Sequence, residues 1–335
     1  MSLKPLAVGD DPRVKRVDVD LNGRKYNYIL AEPKGRRRGT VFLIHGWPDL
    51  SMGWRYQIPM FQERGFRVVA PDIIGFGRTQ TPDGIEAYSL KRTADDINAL
   101  AAKLQCSSII LGGHDWGGAA VFRVALWYPK LISHLFSVCT PYHAPNHGPD
   151  IPLQTVVEKY IPSFGYQLQL SSGEVGKHVD TYEKIKGFIK GIYGGKGPNG
   201  EMAFTIKTGV QYDNLLNIGK SPLLSDEEAD FYAREYMRNG FESPLGWYKT
   251  RSINWKDELA IKEHTLQMPT LFIAASGDAA LPPSLSEGMD EHIPKLTRRQ
   301  VDTTHWALIE APKQVNDYIW QWLEPLLSQE GKSVL

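Results

Sequence analysis

The stretch LGGHDWGG, Leu111 to Gly118, restricts the fold of this chain more than any other feature. It continues a short apolar run at Ser108 to Leu111 and opens a helical pattern that reaches Tyr128, where Pro129 stops it. Gly113 and Gly117 stand two residues to either side of Asp115, so the passage from strand to helix has to be made in a very tight turn. Such a turn leaves no room for side chains at its flanks and forces the central residue into a strained, exposed backbone. In isolation, the same string also fits a glycine-rich turn with an aspartate capping the helix.

The pattern around the turn is that of an alternating α/β chain. Val14 to Leu21 and Lys25 to Ala31 alternate as a hairpin about Asn22-Gly23. Val41 to Ile44, Arg67 to Ala70, His134 to Cys139 and Thr270 to Ala274 are short apolar runs of the kind buried in a parallel sheet. Helical patterns lie between them, at Leu90 to Leu104 and, near the end, at Val315 to Leu323. The alternation fails from Pro141 to Met268, an aromatic-rich stretch with no central strand and a loose GGKGPNG run at 194–200. We expect a mostly parallel sheet flanked by helices, built from residues 1–141 and 268–335, with 142–267 inserted as a helical cap.

Composition narrows the partners. Lys+Arg and Asp+Glu both number 38, which gives no reason to expect nucleic acid or an anionic membrane surface. Cys106 and Cys139 are the only cysteines and no Asn-x-Ser/Thr acceptor occurs, which fits free thiols in a reducing compartment. The N-terminus lacks an apolar signal core, and no run of about 18 apolar residues is present. A soluble, cytoplasmic protein is expected.

Two features favour a nucleophile elbow over a capped turn. His45-Gly46-Trp47-Pro48 follows the strand Val41 to Ile44, where an α/β-hydrolase places the second backbone N–H of its oxyanion hole. Asp278 then follows the strand Thr270 to Ala274, and His305 follows the alternating segment Thr297 to Val301. The chain order is therefore nucleophile, acid, base, with Asp115 in the first role. No acid lies close behind His134 to Cys139 until Asp150, which leaves Asp278 as the orienting group. His45 and His114 sit inside the two loops and are expected to orient backbone, whereas His134, His143, His147, His178, His264 and His292 read as surface, strand or cap residues. No His or Cys pair has zinc spacing, Gly75-Phe76-Gly77 lacks the third glycine of a dinucleotide site, and Lys196 is not followed by Ser or Thr as a phosphate loop requires. No cofactor and no metal are expected.

An aspartate nucleophile fixes the electrophile. With an ordinary pKa of about 3.9 it is already ionised and requires no base to attack. Attack on an acyl carbon would give a high-energy anhydride, whereas attack on a saturated carbon gives an ordinary alkyl ester. His305 is then free for a second step, deprotonating a water that attacks that ester, with Asp278 holding its tautomer. The backbone N–H groups of Trp47 and Trp116 would hold the oxyanion. A halide leaving group needs only N–H donors, whereas an epoxide oxygen leaves as a basic alkoxide and needs an acid such as tyrosine.

HGWPD at 45–49, GGHDWGG at 112–118, PSFGYQL at 162–168, GFESPLGWYK at 240–249, SGDAALPP at 276–283 and THWALIEAP at 304–312 together resemble a soluble-type epoxide hydrolase. The resemblance runs from the first strands to the last helix. It implies hydrolysis of epoxides to vicinal diols, the triad Asp115, His305 and Asp278, and Tyr166 and Tyr248 as the ring-opening acids. It further implies substrate contacts from Trp116, Tyr166, Tyr248 and Trp306, a cis peptide at Trp47-Pro48, and a form without the phosphatase domain or membrane anchor of some relatives. The expected partners are a small epoxide and water. Trp116 after the nucleophile is shared with haloalkane dehalogenases, although Trp47 replaces the Asn common at their HGxP loop. A dehalogenase and a non-catalytic ligand-binding relative are the alternative readings.

Overall fold

A computed structural model describes residues 4–332. Its main sheet is formed by β1 (Lys15–Leu21), β2 (Arg24–Ala31), β3 (Gly39–Ile44), β4 (Phe66–Pro71), β5 (Ile109–His114) and β6 (Ile132–Val138). A ribbon of β7 (Phe204–Thr205) and β8 (Gly209–Val210) stands apart, and β9 (Thr270–Ala275) and β10 (Leu296–Val301) complete the main sheet. Its order is β1-β2-β4-β3-β5-β6-β9-β10. The β1–β2 and β2–β4 pairs are antiparallel and every other pair is parallel.

Burial follows position in the sheet. Every residue of β4, β5 and β9 is buried, as interior strands of a sheet covered on both faces should be. The edge strands β1 and β10 keep exposed residues. Helices α1 (Gln57–Glu63), α2 (Leu90–Lys103) and α3 (Trp116–Trp127) connect the first strands. Helices α4 (Leu153–Lys159), α5 (Gly165–Leu170), α6 (Val175–His178), α7 (Tyr182–Ile192), α8 (Asp226–Asn239) and α9 (Arg251–Glu258) fill the stretch between β6 and β9. That stretch adds no strand to the main sheet, although β7 and β8 lie within it. Helices α10 (Met289–His292), α11 (Ala307–Glu310) and α12 (Pro312–Lys332) close the chain. None of the described helices is long and apolar enough to cross a membrane.

Two element boundaries differ from the sequence reading in ways that matter. β5 continues past Leu111 to His114 and α3 begins at Trp116, so a single residue separates strand from helix. The last helix continues through Pro325 instead of ending at Leu323.

Candidate active site

Asp115 is that single residue, and its backbone (φ 55°, ψ −126°) lies in a conformation that L-residues rarely adopt. The flanking glycines are a steric requirement. A Cβ on Gly113 would fall 2.3 Å from the Gly117 carbonyl oxygen, and one on Gly117 would fall 2.0 Å from that of Ile44. A Cβ on Gly46 would meet the Asp115 carboxylate at 2.2 Å. The Thr140 hydroxyl donates to the Asp115 carbonyl at 2.7 Å and anchors the turn to the end of β6.

Three loops converge on this turn. From the loop after β3, the Trp47 N–H donates to Asp115 Oδ1 at 2.7 Å, and the Trp116 N–H bonds the same carboxylate. The Trp47-Pro48 peptide is cis. His45 sets this loop: its Nδ1 pairs with the Gly46 carbonyl at 2.8 Å and its Nε2 accepts from the Ile73 N–H at 3.0 Å. From the loop after β9, Asp278 accepts the Ala280 and Leu281 N–H groups on Oδ1, at 3.0 and 2.9 Å. Its Oδ2 lies 2.7 Å from His305 Nδ1. His305 follows β10 and presents Nε2 to Asp115 Oδ2 at 3.6 Å, an ion-pair contact longer than a hydrogen bond. His114 Nε2 meets the His305 carbonyl at 2.9 Å, and the Cys139 thiol reaches the same oxygen at 3.5 Å.

The electrostatics follow from this packing. Burial alone would lower the pKa of His305, but Asp278, its hydrogen bond and Asp115 together hold it up at about 9. Burial would likewise raise Asp278, yet His305 and the Leu281 N–H keep it down at about 2. For Asp115, burial pushes the carboxyl up against the opposing pull of His305 and the Trp116 and Trp47 N–H groups. At neutral pH His305 and Asp278 thus form an imidazolium–carboxylate pair beside Asp115. Burial, followed by the nearby His305, takes His114 down to about 3, so it stays neutral.

The helical stretch supplies the facing wall. Tyr166 of α5 and Tyr248 of the turn Ser243–Lys249 are both buried, with ring centroids 6.0 Å apart. Tyr248 meets the indoles of Trp47 and Trp116 edge to face, at 5.6 and 5.3 Å. Burial raises both phenols, and the Asp115 carboxylate adds to it, so each retains its O–H. Asp115, Trp116, Tyr166 and Tyr248 line one cavity of about 380 Å³.

Of the four expected substrate contacts, Trp306 alone is absent from that lining. Its ring stacks on Tyr193 at 3.9 Å and its indole N–H donates to the Ile192 carbonyl at 2.8 Å, which ties the base loop to α7. Asp150 lines the outer part of the same cavity, while the His305 Nδ1 contact is made by Asp278. Among the described residues, His114, Cys139 and His305 form one group of potential metal ligands, but their atoms are engaged in the hydrogen bonds just given. Three residues escaped the sequence reading. Thr140 and Cys139 carry no motif, and Cys139 adopts a left-handed φ of 67° that its identity does not announce. Asp49 is buried and accepts the Tyr232 hydroxyl at 2.5 Å, although the HGWPD string gave no hint of that partner.

Residues 39–175 match the family model described as alpha/beta hydrolase fold. The chain is 38% identical to the epoxide hydrolase srdG of Neurospora crassa, covering 95% of this chain and 97% of that protein. It is 32% identical to the bifunctional epoxide hydrolase 2 of Mus musculus over 92% of this chain, and spans only 57% of that protein's length. The crystal structure of an epoxide hydrolase from Vigna radiata superposes with a TM-score of 0.80 at 23% identity, covering 95% of this chain and 99% of that one, a likeness of fold.

Proposed function

Because this chain belongs to the epoxide hydrolases of the α/β-hydrolase fold, we propose that it converts epoxides to vicinal diols through a covalent ester on Asp115. Oδ1 is committed to the Trp47 N–H, so Oδ2 is the attacking atom. An O–C bond forms to one epoxide carbon as that carbon's bond to the ring oxygen breaks. The departing alkoxide takes a proton from Tyr166 or Tyr248, whose high pKa values keep that proton in place until a strong base appears.

Charge balance links the two steps. Esterification removes the Asp115 carboxylate, one of the charges that hold His305 protonated. His305 then releases its proton to the phenolate through solvent and becomes the neutral base the second step requires. Its Nε2 deprotonates a water, which attacks the ester carbonyl, and the oxyanion on Oδ1 rests on the Trp47 and Trp116 N–H groups. Collapse expels the second diol oxygen, which recovers the proton from His305. Asp115, left as a carboxylic acid with one oxygen from water, passes its proton to His305, which restores the starting carboxylate and imidazolium. Residues 142–267 act here as a cap over a core of 1–141 and 268–335.

The carrying observation is the division of the Asp115 carboxylate, one oxygen on a backbone donor and the other facing His305, in a cavity that also holds two buried phenols. Halide release is less well supported, because two buried phenols line the same cavity as Asp115, and an epoxide oxygen requires such acids whereas a halide does not. In the His305→Gln variant, alkylation should survive while hydrolysis nearly stops. Intact-protein mass spectrometry should then show an adduct one substrate mass heavier. Loss of turnover without an adduct would remove His305 from the second step.

A further inference from the structure

The two sides of Asp115 are built differently. On one side the cavity runs out along α3 past Trp116, Ala119 and Phe122, with Val156 and Phe164 opposite, to the Arg123–Glu258 ion pair at 2.8 Å. On the other stands Trp47, only 3% exposed and wedged among Phe188, Phe204, Phe241 and Tyr248 at 5.5, 5.9, 6.3 and 5.6 Å between ring centroids. Phe188 and Phe241 are themselves buried and in contact at 4.8 Å. Phe204 also meets Tyr166 at 5.4 Å, so the aromatic wall continues behind the proposed acids. None of Trp47, Phe188, Phe204 and Phe241 lines the cavity. Trp47, Phe188 and Phe241 are buried and only Phe204 keeps part of its surface exposed, and a wall packed this closely does not admit a methylene chain without displacement.

We infer that the site is closed on the Trp47 side and takes terminal epoxides carrying one extended apolar substituent. This rests on the epoxide hydrolase reading and specifies its substrate. In-line attack by Oδ2 places the ring oxygen toward the tyrosines, and the substituents of a trans-disubstituted epoxide then leave in opposite directions. One enters the channel along α3. The other meets the wall around Trp47.

The test compares two isomers of equal size and hydrophobicity, 1,2-epoxydecane and trans-5,6-epoxydecane. The wild-type enzyme should favour the terminal isomer in kcat/KM by roughly 30-fold or more, the cost of forcing a chain into a packed wall. Phe188→Ala combined with Phe204→Ala should reduce that ratio by about 10-fold, with 1,2-epoxydecane turnover reporting that the variant is folded. Equal or reversed preference in the wild type overturns the inference, whatever the variant does. An unchanged ratio in an active double variant shows that these rings do not set it. Failure to hydrolyse either isomer, or styrene oxide, removes the epoxide reading itself.

Discussion

Asp115, Asp278 and His305 stand on loops at the carboxyl ends of β5, β9 and β10, and polar contacts hold each of them. Asp115 has its strained turn and two N–H donors, Asp278 has two more, and the His305 carbonyl is gripped by His114 and Cys139. Tyr166 and Tyr248 come from a stretch with no share in the main sheet, and ring packing holds them. Many bonds also tie that stretch to the sheet layer, among them Tyr236 to the Pro48 carbonyl at 2.9 Å, Trp247 to that of Ile74 at 3.1 Å and Ser163 to that of Ala280 at 3.0 Å. In the proposed mechanism the charge-handling chemistry belongs to the sheet end, and acid assistance and substrate shape belong to the helical layer.

The sharpest way to break this comparison is at the nucleophile. Asp115→Ala should lower turnover by on the order of 10⁴-fold or more while circular dichroism and Tm stay near wild type, since no other group can form the ester. Asp278→Asn disturbs the tautomer and charge of His305 without removing the base. We expect a loss on the order of 10²- to 10⁴-fold in kcat, with partial accumulation of adduct by mass spectrometry. In the helical layer the losses should be smaller and shared. Tyr166→Phe and Tyr248→Phe should each slow single-turnover alkylation by about 10- to 100-fold, the double variant by far more, because each phenol partly covers for the other. Undiminished epoxide opening by the double variant would place the acid elsewhere.

Stability against pH sharpens the comparison from the sheet side. His305 is raised to about 9, so its contribution is complete below its unfolded pKa of about 6.5 and is lost as pH rises through 9. Asp278 is depressed to about 2, so its contribution is complete above about 3.9 and is lost as pH falls through 2. The pair therefore stabilises most between roughly pH 4 and 6.5. The Tm advantage of wild type over His305→Gln should shrink by roughly 2–4 °C between pH 6 and 9.5. Trp306→Phe is the mildest change. It deletes the donor to the Ile192 carbonyl and should cost about 1 kcal/mol in urea unfolding, with kcat nearly unchanged.

The same division explains what could be read from the chain itself. Gly113, Gly117 and the HGWP loop were legible because they encode steric demands that hold wherever the fold occurs. The order Asp115, Asp278, His305 was legible because each follows a strand. The true end of β5 was not, since Gly112, Gly113 and His114 carry no apolar signal although the strand continues through them. From residues alone the tyrosines were two among 15, and only the resemblance singled them out; their role depends on ring packing between distant segments. The packing partners of Trp306 were not legible either, since Tyr193 and Ile192 lie more than a hundred residues away.

The covalent ester on Asp115 is the central claim, and a single turnover in oxygen-18 water with enzyme in excess tests it most directly. The account predicts a diol whose new oxygen is unlabelled, because it comes from Asp115, with the label appearing in the peptide that contains Asp115. A diol carrying solvent oxygen in that first turnover, with an unlabelled peptide, would contradict it.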